Sequence, residues 1–211
     1  MRFFRFVAGV VVLLGAVSVA AAQDALRPVD TTEVFVVSRS VDSIRADRER
    51  IGRFRGEADA RFSIGRSRLA ETEIQVELLK KEIEVLSAKI KSAKKEKREA
   101  DKTVAEAEKK ELERRKSLVE RRRDLRQAEV ELAEAELAYS EAAVRALDFE
   151  HQLERKRFDL GDRRLLLELE RKTLEAKLEQ ETSRKTLVDR RGRLVERQLG
   201  LMQAQLSFSK R

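Results

Sequence analysis

Among side chains that could act as acids, bases, nucleophiles or metal ligands, this chain is rich only in carboxylates. It has one histidine, His151, and no cysteine, so neither a thiolate nucleophile nor a Cys/His zinc set can be assembled. His151 falls on the outermost column of the repeat described below and reads as an ordinary surface residue, because a general base or ligand needs partners held beside it. Carboxylate pairs such as Glu134 with Glu141 recur along the chain, and with 39 acids in 211 residues their spacing carries no information. No glycine-rich loop is present to cradle a phosphate, and Gly52-Arg53-Phe54-Arg55-Gly56 is too charged for a membrane packing motif. Catalysis requires a concave, partly desolvated place. The residue types point to no cofactor, no metal site and no enzyme.

The elements that would position these residues are helical. Charged residues make up 41% of the chain and aromatic residues 5%, with one proline and eight glycines. That leaves too little aromatic payload and turn punctuation for a thick globular core. The aliphatic residues are nevertheless regularly placed. From Val41 to Met202 one seven-residue frame holds without insertion, and nineteen of its 24 first positions are apolar, where chance would give roughly ten. The fold class expected is all-α: a long coiled-coil rod, completed by an antiparallel helical hairpin.

The second core column changes along the chain. Ile44, Ile51, Leu79 and Leu86 are bulky, Ala93, Ala100, Ala107, Ala128, Ala135 and Ala142 are small, and beyond Phe149 the column turns polar. There the apolar residues move to Leu166, Leu187, Leu194 and Leu201 on one side and Leu178, Leu199 and Leu206 on the other. The change coincides with Asp159-Leu160-Gly161-Asp162. A glycine there can sit inside a continuous helix at a cost of about 1 kcal/mol, or end one helix in the left-handed conformation with Asp162 capping the next. Residues 127–152 carry seven acids and one base, while Arg171, Lys172, Lys177, Arg184, Lys185, Arg190, Arg191 and Arg193 lie where a fold-back would bring them alongside. Opposite charges flanking a seam set register, and on that ground the hairpin turn is placed at Asp159, Gly161 and Asp162.

The resulting organisation is residues 1–22 as a signal peptide, 23–40 as a flexible leader or short strand, 41–158 as one coiled-coil helix and 162–208 as a second, fold-back helix. Ile44, Ile51, Phe62, Leu69, Val76, Leu79, Ile83, Leu86 and Ile90 form an interaction seam that a second helix of this length cannot reach, so the seam is expected to need another chain. Ser117-Leu118-Val119-Glu120 matches a capping box, which would allow a further break near Lys116. Residues 89–126 hold 16 bases and nine acids. Such a run reads first as a solvated face laced by pairs such as Glu111 with Arg115, and second as a basic contact patch.

Arg2 and Arg5, an apolar run from Phe6 and the small residues Ala20-Ala21-Ala22 before Gln23 have the layout of a secretory signal. Cleavage there would leave 45 basic and 39 acidic side chains, a net charge of +6. Export places the chain where nucleic acid is scarce, so no nucleic-acid partner is expected. Envelope proteins, anionic lipid and cell-wall polymer fit a basic exported surface better, and a homo-oligomer is expected.

Residues Leu125-Arg126-Gln127-Ala128 through Ala146 resemble the leucine/alanine-rich hairpins of outer-membrane efflux channels and their periplasmic adaptors. The likeness spans about a tenth of the chain, and the strands of the channels and the β-domain of the adaptors have no counterpart. The layout of signal peptide and basic, cysteine-free helices is similar to that of tentacle-forming periplasmic chaperones, although only Val34 to Val37 could stand for their β-rich body. Three functions follow as expectations: a structural or scaffold module of the cell envelope, a holdase for membrane proteins, and a coiled-coil regulator of an envelope enzyme, secretion or efflux machine.

Overall fold

A computed structural model describes residues 38–157 and 163–209, in which every regular element is helical: α1, Val41–Lys95; α2, Glu99–Lys156; and α3, Arg163–Ser209. The segment expected to be a signal peptide, most of the expected 23–40 leader and the expected turn at Asp159, Gly161 and Asp162 lie outside the described residues. Helix α1 starts where it does because Ser40 caps it. The Ser40 Oγ accepts from the Ser43 amide at 3.2 Å and the Ser40 carbonyl accepts from the Ile44 amide. These contacts satisfy two of the amide donors that a helix N-terminus leaves open.

The single helix expected from Val41 to Phe158 is two helices, divided at residues 96–98. Lys97 has φ 56°, the only positive φ at a non-glycine residue among those described. The Arg98 amide donates to the Ala93 carbonyl at 2.9 Å and the Lys97 amide to the Lys94 carbonyl at 3.4 Å. This is the paired closure of a Schellman motif, which satisfies carbonyls at the end of α1 while reversing the chain. Charges support the break on both sides. Lys94 and Lys95 occupy the last turn of α1, and Glu99 and Asp101 the first turn of α2, each at the end of the helix dipole that favours it. The Ser117–Glu120 match marks no break, since α2 runs through it.

The described residues fall into two units. The first comprises residues 38–55, 140–157 and 163–180, and the second residues 56–139 and 181–209. In the first, Ser38 meets Glu154, Arg48 meets Asp148 and Arg55 meets Glu141. Numbers rise along α1 as they fall along α2. Helix α3 joins through Lys177 to Glu150 and Glu179 to Arg145. The core is made of Ile44, Phe54, Leu153 and the small residues Ala142, Ala143 and Ala146, all buried. Small side chains at facing positions let helix backbones come close.

In the second unit Arg61 meets Glu136, and Val130 lies against Gly65. A Cβ at Gly65 would stand 3.2 Å from Val130 Cγ2, so glycine here serves a close approach of α1 and α2. Helix α3 adds Arg190 to Glu131, Arg191 to Glu136 and Arg197 to Asp124. Val76, Leu86, Ala128, Ala133, Tyr139 and Leu187 are buried among these helices. Each fully buried aliphatic side chain of this size contributes about 1.5–3 kcal/mol relative to exposure.

Candidate interaction surface

The seam read from α1 does not stand open. Ile44, Ile51, Val76 and Leu86 are buried within the chain itself, and Phe62, Leu69, Leu79, Ile83 and Ile90 are half-buried. The reason is the reversal at Lys97, which brings α2 of the same chain to the place assigned to a second one. The inference that this seam needs another chain therefore falls.

Electrostatics explain part of the register that covers it. Three carboxylates on α2 are buried: Glu136, Glu150 and Glu154, at 5%, 1% and 4% exposure. Glu136 accepts from Arg61 Nε at 3.0 Å and Nη2 at 2.9 Å, while Arg191 Nη2 lies 3.7 Å from its other oxygen. Glu150 sits between Arg39 on one side and Lys177 on the other, each 3.6 Å away. In both cases a cation from the segment before the turn and a cation from α3 flank one carboxylate of α2. A buried carboxylate is costly unless paired in this way. The acids of residues 127–152, expected as seam flanks, include two that are buried between cations. The signal available was their spacing, since Glu136 and Glu150 lie two heptads apart on a helix otherwise lined with alanine.

Ile64, Ile74, Leu78 and Val85 on α1 and Val104 on α2 remain exposed, but most of the exposed large apolar side chains lie on α3. Of the three apolar columns on this helix, Leu187 is fully buried and Leu166, Leu194 and Leu201 are half-buried, so that column faces inward. The other two face out. In the second unit Val188, Val195, Leu199, Met202 and Leu206 are 57%, 52%, 50%, 50% and 60% exposed. At 100° per residue these five fall within about 60° of the helix circumference. In the first unit Leu167 and Leu178 are exposed on the same columns.

A second feature lies at the α1–α2 turn. Lys89, Lys91, Lys94, Lys95 and Lys97 are all exposed, and among the described residues their side chains make no ion pair or hydrogen bond. Arg98 differs, bridging Glu96 at 2.5 Å and Asp101 at 3.0 Å. The Glu96 carboxylate is held below its ordinary range by the hydroxyl of Ser92, 2.8 Å away, and by the charge of Arg98. Elsewhere in the basic run the solvated reading fits. Glu111 pairs with Arg115 and Glu120 with Lys116, each one helical turn apart.

No family model, curated protein or solved structure matches this chain. The surface must therefore be read from its own chemistry. His151 is half-buried on α2, and among the described residues no group of His, Cys, Asp and Glu side chains could hold a metal ion. No helix among them is long and apolar enough to cross a membrane. A shallow groove of about 490 Å³ lies in the second unit, with Leu78, Leu118, Val119 and Phe208 beside Glu82 and Arg115. What the described residues offer is thus an outward apolar stripe on α3 and a cationic turn.

Proposed function

We propose that this chain is an exported cell-envelope protein that acts as a structural or scaffold module, binding through helix-to-helix contact without catalytic turnover. Its helices are taken to form an antiparallel coiled-coil arrangement, the second reversal lying at Asp159, Gly161 and Asp162. The descending contact pairs and the buried carboxylates flanked by cations from two sides support that arrangement. Export rests on the basic, apolar and small-residue layout of residues 1–22.

The observation that carries the reading is the outward stripe of α3. A continuous apolar strip kept at heptad spacing on a highly charged chain marks an interaction surface. Five unpaired lysines at the α1–α2 turn supply the surface through which contact with anionic lipid or cell-wall polymer would be made.

The test is fractionation and cross-linking in a bacterium expressing the full chain. The expected result is a form beginning at Gln23, outside the inner membrane and held in discrete cross-linked species. Those species should vanish when Val195 and Leu199 are both changed to aspartate while helix content is kept. Retention in the cytoplasm, or an uncross-linked monomer in the envelope, would overturn the proposal.

A further inference from the structure

We infer that the outward stripe of α3 between Val188 and Leu206 is the self-association surface, and that its occupant is the same helix of a second copy, lying parallel and in register. This rests on the binding role proposed above and names the partner of that surface.

Val188 is 57% exposed while its neighbour Leu187 is fully buried, so the helix presents two apolar faces and its own chain covers one. A helix that meets only one neighbouring layer needs a single apolar face. The second face repeats at intervals of four and three: Val188, Gly192, Val195, Leu199, Met202, Leu206. That spacing is the seam of a two-helix coiled coil.

Gly192 gives an independent reason. It lies mid-helix, where glycine is unfavourable relative to alanine, and a Cβ built there would meet nothing within 4 Å. Packing within the chain therefore does not call for glycine at this position. A missing side chain on the outward seam leaves a notch into which a facing helix can settle, as small residues do where helix backbones approach closely.

Charge decides both the identity and the direction of the partner. Asp189, Glu196 and Gln203 flank the stripe on one side; Arg184, Arg191 and Gln198 flank it on the other. In a parallel pair each residue of the second group faces the residue five positions later on the other copy. Arg184 then meets Asp189 of the second copy, Arg191 meets its Glu196, and Gln198 meets its Gln203. An antiparallel pair would instead set Glu196 against Glu196 and leave Arg191 facing the uncharged Gln198 or Gln205. Arg184 already pairs along its own helix with Glu181 at 3.2 Å, and Arg191 lies 3.7 Å from Glu136 of α2. A guanidinium has five donors, enough to serve both sides.

Because the chain has no cysteine, single cysteines report the geometry cleanly. Val188→Cys and Leu206→Cys, each alone in the full-length mature protein, should form disulfide-linked dimers under mild oxidation. In an antiparallel pair only a mixture of the two variants would cross-link, and that result overturns the inference. Sedimentation of the unmodified protein should show a dimer. Changing Val195 and Leu199 together to aspartate should weaken it by about a hundredfold or more, with circular dichroism confirming that helix content is kept. A protein that stays monomeric at every concentration, with neither cysteine variant cross-linking, also overturns the inference. If cross-linked species of other masses nevertheless persist in cells, the binding role stands and only the second copy is wrong. If those are absent too, both fail.

Discussion

Replacing Lys97 with glycine should stabilise the protein, and the sign of that change discriminates between a reversal at this residue and an unbroken helix. Lys97 holds φ 56°, a left-handed conformation that costs a residue with a Cβ about 1–2 kcal/mol. Glycine removes that cost but adds about 0.4–1 kcal/mol of backbone entropy to the unfolded chain. The Lys97 side chain is exposed and makes no hydrogen bond or ion pair among the described residues, so little packing is lost. The net expectation is a gain of about 0.5–1 kcal/mol, with a melting temperature raised by about 1–4 °C in a chain of this size. Were residues 95–99 an uninterrupted helix, the same substitution would destabilise by about 1 kcal/mol. Lys97→Ala separates charge from conformation, since it keeps the left-handed cost while removing one cation from the lysine cluster. It should stay within about 0.5 kcal/mol of the parent. Urea unfolding followed by far-ultraviolet circular dichroism at fixed protein concentration measures all three, and an unchanged m-value would show that the folded state is preserved. A glycine variant less stable than the alanine variant by about 1 kcal/mol would refute the reversal at Lys97.

The two faces of α3 give a neighbouring pair of tests. Leu187→Ala should cost about 2–5 kcal/mol because its side chain is fully buried. Val188→Ala should change monomer unfolding by less than about 0.5 kcal/mol. Glycines divide in the same manner. Gly52→Ala, with nothing within 4 Å of the new Cβ, should gain about 0.8–1 kcal/mol in denaturant unfolding. Gly65→Ala should lose most or all of that gain against Val130. Glu150→Gln, by withdrawing the charge between Arg39 and Lys177, should destabilise by about 1–3 kcal/mol. The Glu96 carboxyl is depressed by Ser92 and Arg98, so its support of the turn is present above the ordinary carboxylate range and fades as pH falls through its lowered value. Amide exchange at Arg98 should accelerate over that acid window in the parent, and Glu96→Gln should remove this component of the pH dependence.

Helical class and the heptad were legible in the sequence because both are local. Nineteen apolar residues at one frame position need no knowledge of partners to be recognised. The reversal at Lys97 was hidden for two reasons. The residue in the left-handed position is not glycine, so the usual mark of a helix end is missing. The seven-residue frame also runs through the turn without a shift, so counting sees one rod where the chain makes two helices. Ser117–Glu120 lies inside α2 because a four-residue cap pattern carries little weight against a continuous helix from Glu99 to Lys156.

What the sequence determined by itself is the inventory: which residues lie a heptad apart, how many apolar columns α3 carries, and how acids and bases are distributed between segments. Only the tertiary structure decided what each column meets. The α1 seam from Ile44 to Ile90 is covered by α2 of the same chain. Glu136 and Glu150 are buried between cations, and of the columns on α3 the one containing Leu187 turns in while the one containing Val188 turns out. The physical reason is that periodicity fixes angles around a helix axis but not the direction of its neighbours. Those directions follow from where the chain reverses, and here the reversal depends on the backbone conformation of a single lysine.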